Sequence, residues 1–461
     1  MSLAKISSTP LRFLGAGAAL SLFLLTFLVF GHSTYSTNHE GSGYILKPTS
    51  GPTSNAQCEC DSQSSTGNNT AQRGGIKWEF DFRRDGDNHG LSDEQCLSAF
   101  PKLFGDLDRV AQERVGSGKL ITFDDVDELS RSGEDANGDR GLVRAAVVGG
   151  ELYIISYGSM PYTFSRGKAT LHSLNRALSA YAERQSLPNV EFVLSTDDFF
   201  TPRPGNQEAQ GLPIWSYSKT TTDTTTWLMP DFGYWSWPEV RIGAYKEIRA
   251  RIAAVDAETA FHSKKKQLAW RGSVATNPEI RGALLDAARG KSWASIRDID
   301  WSDPSSVEEN VLPMEEYCRY MFLAHAEGRS FSGRGKYLLN CKSVVISHEL
   351  AWLEAHHGAL IASGPEANYV QVSRDWSDLE RKVEHLIDNP AVAERIAGNA
   401  VRTFRERYLT PAAESCYWRY LITKYAEASG FEPLLESIKG SGSGERVKRG
   451  VHFDTWALGL A

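Results

Sequence analysis

Two short segments place cations where a helix is about to begin. Arg271, Ser273 and Thr276 follow the run Gln267–Trp270, and Arg329, Ser332, Arg334 and Lys336 crowd the segment GRSFSGRGKY. Arginine at a helix start is electrostatically unfavourable unless an anion sits there, and the free backbone donors of helix N-termini suit a diphosphate. The plainer alternative is a solvated cluster, or ion pairs with some of the 57 acidic residues. GRGKY is not a Walker phosphate loop, since Ser330 stands where that pattern needs glycine and Tyr337 where it needs Ser or Thr. A third segment, Ser195-Thr196-Asp197-Asp198, ends the apolar run VEFVL and presents two carboxylates. An aspartate close to a hydroxyl can act as its general base; it can equally cap a turn. Successive side chains on an extended segment point to opposite faces, so Asp197 and Asp198 should not face one ligand together.

Pro213–Trp237 gathers Trp215, Tyr217, Trp227, Phe232, Tyr234, Trp235 and Trp237. Sugar rings lay their apolar C–H faces on such rings, which makes Trp215, Trp235 and Trp237 a candidate sugar platform, although aromatics also fill ordinary cores. Asp231-Phe232-Gly233 lacks the companion kinase motifs. His348-Glu349 with His356-His357 misses the HExxH spacing and reads as polar helix surface. Asp125-Val126-Asp127 has the letters of a metal-binding DxD but no strand before it, so no metal site is expected.

These segments need a frame. VRAAVVGGELYIISY (Val143–Tyr157) reads as a hairpin turning at Gly149-Gly150. Lys168–Arg184 has Leu171, Leu174, Leu178 and Tyr181 at helical spacing, and Val190–Leu194 follows as a buried strand. Further strands are expected at Gln267–Trp270, Arg319–Ala326, Ser343–Ser347 and Tyr369–Val372. Helices are expected from Asn277-Pro278, over Gly333–Cys341, from a capping box at Ser377–Glu380, and near Ala391–Tyr408 and Pro411–Ala428. This is α/β grammar, suggesting two Rossmann-like domains (76–245 and 246–436) facing a cleft. Ligands of such sheets bind beyond the carboxyl ends of strands, which selects the loops after Leu194, Trp270 and Ala326.

The length of 461 residues exceeds what one hydrophobic core holds. A net charge of −7 gives no hint of nucleic-acid binding, which wants a basic face. Phe13–Gly31 is uncharged and mostly apolar, with Lys5 and Arg12 before it and Lys47 the next cation. That pattern predicts a single-pass type II signal-anchor with residues 1–12 cytosolic and the bulk lumenal, a cleaved signal peptide being the rival. Residues 32–75 read as a flexible stem carrying a glycosylation sequon at Asn68, and 437–461 as a disordered tail. The six cysteines, Cys58, Cys60, Cys96, Cys318, Cys341 and Cys416, fit no zinc spacing and suggest three disulfides in an oxidising lumen, with fifteen connectivities open.

WRGS (Trp270–Ser273) and EYCRYMFLAHAEGRSFSGRGKYLLNCKSVVIS (Glu316–Ser347) resemble glycosyltransferase family 90. DEQC…AFPKLF from Asp93, VEFVLSTDDF, WSYSKTTTD and CYW at Cys416–Trp418 extend the likeness. The resemblance implies a GT-B fold, a UDP-sugar donor, inversion at the anomeric carbon and no metal or other cofactor. It puts the general base on Asp198 and the diphosphate contacts on Arg271 and Arg334, with Ser273, Ser332 and Lys336 as further donor-side candidates. It also suggests bridges Cys318–Cys341 and Cys58–Cys416. The chain ends LGLA rather than in an ER-retention signal, which favours a Golgi enzyme over one of the endoplasmic reticulum. The acceptor would be a glycan or glycoprotein hydroxyl, and the sugar glucose or xylose. A lectin-like carbohydrate-binding protein and a glycoside hydrolase are the competing readings.

Overall fold

The computed structural model describes residues 78–460 apart from 133, 136–137, 140, 159, 161–162, 201–210, 241 and 439–445. The expected anchor, the stem, Asn68, Cys58 and Cys60 lie outside the described residues. Among the described residues no helix is long and apolar enough to cross a membrane. The described residues belong to one compact unit.

Strands β1 (Leu142–Val148) and β2 (Glu151–Tyr157) form the expected hairpin, with Val148 opposite Glu151. Gly149 and Gly150 take φ of 60° and 77°, a left-handed conformation that side chains resist, so the glycine pair fixes the turn and the register. Helix α1 (Asp93–Ala99) precedes this hairpin and α2 (Phe164–Ser179) follows it, burying Leu171, Leu174 and Leu178 as their spacing requires. Strand β3 (Val190–Ser195) runs antiparallel to β1, and β4 (Trp215–Ser216) and β5 (Trp227–Leu228) continue in parallel beyond it. The sheet of the first half is therefore mixed, not the parallel Rossmann-like sheet expected. A two-residue turn can only join antiparallel neighbours, whereas parallel ones need a long crossover.

Helix α3 (Tyr245–Glu258) leads into the second sheet. There β6 (Lys265–Gly272), β7 (Ala294–Asp298), β8 (Tyr320–His325), β9 (Val344–His348) and β10 (Val370–Val372) lie in the order β7-β6-β8-β9-β10, every pairing parallel. Strands β8 and β9 are buried along their whole length, as central strands of a sheet covered on both faces must be. Helix α4 (Pro278–Ala287) starts as its sequence demands, Asn277 Oδ1 accepting the Ile280 N–H at 3.2 Å with Pro278 in the first turn.

Helix α5 (Leu379–Asp388) lacks its expected capping box: it starts one residue late, with Asp378 rather than Ser377 at the N-cap, and Asp378 Oδ1 accepts the Ser373 N–H at 2.8 Å. Helix α6 (Pro390–Ala400) passes into a π-helical segment, Val401–Tyr408, where one continuous helix was expected. Helix α7 (Pro411–Glu427) then crosses back to pack on α1 and α2. The tail expected to be disordered also returns. Strand β11 (Val451–His452) pairs with Ile154 and Tyr153 on the free edge of β2, and Phe453 is buried beside it. Covering an open edge while burying an aromatic gives these residues a reason to order.

Among the described residues the disulfides are Cys318–Cys341, as expected, and Cys96–Cys416, which replaces the expected Cys58–Cys416. Docking of α7 on α1 brings Cys96 and Cys416 to a Cα separation of 5.5 Å across 320 residues of sequence. Non-reducing peptide mapping of the folded chain should recover these two linkages. Recovery of a Cys58–Cys416 peptide instead would contradict the α1–α7 packing.

Candidate functional site

The strand order of the second sheet reverses between β6 and β8, and in doubly wound sheets a ligand crevice opens at that point beyond the carboxyl ends. Both arginine-bearing loops leave from there. Arg271 closes β6 against β7, its Nη1 donating to Trp270 O at 2.8 Å and to Ser295 O, its Nη2 to Ser295 Oγ at 3.1 Å. Arg334 reaches over from the β8 loop, donating to the Arg271 carbonyl and to the Tyr317 hydroxyl at 3.1 Å. The approach needs Gly272, where an added Cβ would lie 2.9 Å from the Trp270 ring and 3.0 Å from Arg334 Nη2. Arg271, Arg334, Tyr317, Ile299, Trp301 and Trp237 help line a cavity of about 360 Å³.

A third guanidinium joins them. Arg281 of α4 is buried, donating to Glu327 O at 3.0 Å and Ser273 O at 2.8 Å, and it flanks the Trp270 ring from 5.7 Å with Arg334 at 5.9 Å. Burial, then the neighbouring Arg334, pushes its pKa down to about 10, with Asp198 pulling the other way. The loop that positions these groups is itself tied down. Glu327 accepts the Ala351 and Trp352 N–H groups at 2.8 Å each and Arg374 at 3.1 Å.

On the first sheet, β3 ends at Ser195 and the two aspartates part company. Asp198 Oδ1 pairs with Arg166 Nη1 at 2.8 Å, while Asp197 Oδ2 lies 3.6 Å from Arg329 Nη2. Asp197 Oδ1 also accepts the Asp198 N–H at 2.8 Å, so it caps the turn that presents its neighbour. The Asp198 side chain is 27% exposed, and the guanidinium of Arg166 rests 4.7 Å above Phe232. A separate cavity of about 330 Å³ meets Ser195, Asp197, Phe199 and Arg329; Asp198 lines neither cavity and is coupled to the arginine cluster electrostatically, through Arg281.

Several candidates serve elsewhere. Lys336 is fully buried against Asp231 at 2.6 Å, a pairing that leaves no room for a Cβ at Gly233, so it is not a free phosphate ligand. Ser332 is buried, and its carbonyl accepts the Gly335 N–H at 2.8 Å. Ser273 stays half-buried at the α4 entrance. Trp215 lies in the core, stacked on Phe192 with centroids 3.7 Å apart, and is no sugar platform. Trp235 packs against His172 and Arg176, which leaves Trp237, at the arginine cavity, as the surviving member. Asp125 and Asp127 stand on a helix, Asp125 capping Thr122 and Asp127 paired with Arg144.

Arg166 and Arg281 were not singled out from sequence. Arg166 carried the same signal as the others, a cation in the first turn of α2 that an anion, here Asp198, makes favourable. Arg281 lies a full turn inside α4 and gave none.

Residues 120–439 match the pattern of Glycosyl transferase family 90, and the chain belongs to that family. It is similar to Protein O-glucosyltransferase 1 of Bos taurus, 26% identical over 259 residues, 52% of this chain and 63% of that protein. The human protein of that name is 25% identical over the same shares, and O-glucosyltransferase rumi of Drosophila melanogaster is 25% identical over 269 residues, 54% of this chain and 62% of its own. The matched stretch thus spans less than two thirds of these relatives.

If the cavity takes a diphosphate, Arg271→Ala and Arg334→Ala should each weaken UDP binding about tenfold or more, the worth of one charge-assisted bond. Lys336→Met should leave UDP affinity nearly unchanged but cost about 3–5 kcal/mol of stability, because it strands a buried carboxylate. Calorimetric titration and thermal melting of the three variants separate the two roles. Loss of UDP affinity confined to Lys336→Met would reverse the assignment.

Proposed function

We propose that the protein is an inverting glycosyltransferase that moves a glucosyl or xylosyl unit from a UDP-sugar to a hydroxyl of a glycoprotein or glycan. The observation that carries this reading is the arginine cavity at the strand-order reversal of a parallel sheet, with Asp198, just past the end of a strand of the other sheet, electrostatically coupled to Arg281 beside it. The arrangement supports a GT-B reading, with the donor on the second sheet and the acceptor approaching from the first. In a single displacement the acceptor oxygen attacks the anomeric carbon and Asp198 takes its proton. The bond from that carbon to the β-phosphate oxygen breaks, and the charge grows on departing UDP. Arg271 and Arg334 stand fixed where that charge develops, which lowers the barrier without reorganisation. They supply the neutralisation that a divalent ion gives elsewhere, so turnover needs no added magnesium or manganese.

The two disulfides support a lumenal, oxidising location, which suits a type II enzyme of the Golgi or endoplasmic reticulum. The relatives' names favour a protein hydroxyl as acceptor. A lectin-like module would have no use for three clustered guanidinium groups. A glycoside hydrolase needs two carboxylates flanking the bond, about 5–10 Å apart, whereas Asp197 and Asp198 are consecutive and each engages its own arginine.

Asp198→Asn keeps the shape and removes the proton acceptor. It should cut transfer by about 10²–10⁴-fold, the usual contribution of a general base, and leave UDP affinity nearly intact. Asp197→Asn keeps an oxygen that can accept the Asp198 N–H, so it should cost turnover far less and leave stability within about 0.5 kcal/mol of the parent. Steady-state transfer and UDP titration of both variants test this. Near-parental turnover in Asp198→Asn would place the base elsewhere.

A further inference from the structure

Beneath the Arg334 loop lies a second group of ionisable side chains that the proposed reaction does not use. Strand β8 ends at His325, and after β9 the chain turns through Glu354, His356 and His357. The histidines read from sequence as polar helix surface, yet His356 is 2% exposed, Glu354 3% and His325 6%. Atoms able to bind a metal on Glu354, His356 and His357 all lie within 4.8 Å of one another. His325, His356 and His357 share the wall of a cavity of about 10 Å³, the size of a single water or ion.

These groups are poorly satisfied. Among the described residues no hydrogen-bond partner reaches Oε1 of Glu354, Nε2 of His356 or Nδ1 of His325. His357 Nε2 pairs with Glu354 Oε2 at 3.1 Å, and its Nδ1 accepts the Glu354 N–H at 3.2 Å. The nearby cation, Lys336, is committed to Asp231. Leaving one buried carboxylate oxygen bare is costly, and native interiors seldom leave several such atoms side by side.

We propose that Glu354, His356 and His357, with His325 as the fourth neighbour, form a structural site for a divalent cation of the zinc type. Imidazole nitrogens with one carboxylate are the set zinc takes tetrahedrally at about 2.0–2.2 Å, whereas calcium and magnesium want six or more oxygens. Such ligands stand about 3.4 Å apart around a zinc ion, so the present spacing closes by side-chain rotation about one short turn. Binding through His357 Nε2 moves its proton to Nδ1 and opens the long bond from the Glu354 amide. The site sits directly under the helix that follows Arg334, since a Cβ on Gly335 would lie 2.7 Å from His325 Cε1. A bound cation would therefore brace the loop that carries Arg334. The inference stands apart from the glycosyltransferase reading.

The test uses the full chain and zinc alone. Elemental analysis after dialysis should find one zinc per chain, and zinc should raise the melting temperature by several degrees. Glu354→Gln and His356→Phe should each lose both effects, and cobalt(II) added to the metal-free parent should give the visible absorption of a tetrahedral site. Glu354→Gln also mimics a protonated acid. If the parent retains no zinc and Glu354→Gln melts as high as the parent, Glu354 is a buried neutral acid and the proposal fails. Should the variants not fold, the metal content and cobalt spectrum of the parent decide, and their absence overturns it.

Discussion

Arg281 and Arg334 both stand within 6 Å of one buried indole, Trp270, and Arg271 is the next residue of the strand. Like charges so close together repel, and part of the depression of Arg281 comes from Arg334 itself. The indole's π-face eases this, and carbonyls of Ser273, Glu327 and Arg271 accept the guanidinium protons. What remains is a fixed excess of positive charge at the end of a parallel sheet, and an anion is its natural complement. The fold around it can be understood as the apparatus that keeps these groups from spreading apart.

Two sheets contribute unequally to that apparatus. The second is parallel throughout, so β6 and β8 end at the same level and deliver their loops side by side. The first is mixed and delivers one carboxylate, Asp198, whose direction is set by Arg166 and by the Asp197 turn. Helix α7 joins the halves. It leaves the second sheet's helices and lies against α1 and α2, fastened by Cys96–Cys416 and by buried Glu414 on Ser173 and Arg176. Burial raises the Glu414 pKa, with Arg176 opposing it, so that contact is a closely matched pair rather than a surface accident.

Local rules read the elements well. The Gly149-Gly150 turn, the Asn277 cap and β9, opened by three consecutive apolar residues, each follow from residues within a few positions. The placing of Arg271 and Arg334 at one crevice was legible too, because strand-end loops in such sheets converge. What failed depended on partners far away in sequence. Lys336 looks like a phosphate ligand until Asp231, 105 residues earlier, takes it. Trp215 looks like a platform until Phe192 and α7 cover it. Cys416 finds Cys96 only because α7 docks on α1. His356 is hidden by the packing of its loop, not by anything in its neighbours' periodicity.

The central claim is that the arginine cavity is a nucleoside-diphosphate site, and one titration tests it most directly. Trp237 and Trp301 line that cavity, so UDP added to the parental protein should change tryptophan fluorescence saturably. Affinity should fall as salt rises, because fixed cations meet a mobile anion, and uridine without its phosphates should bind far more weakly. The account is contradicted if UDP produces no saturable change and no thermal stabilisation, or if uridine binds as well as UDP.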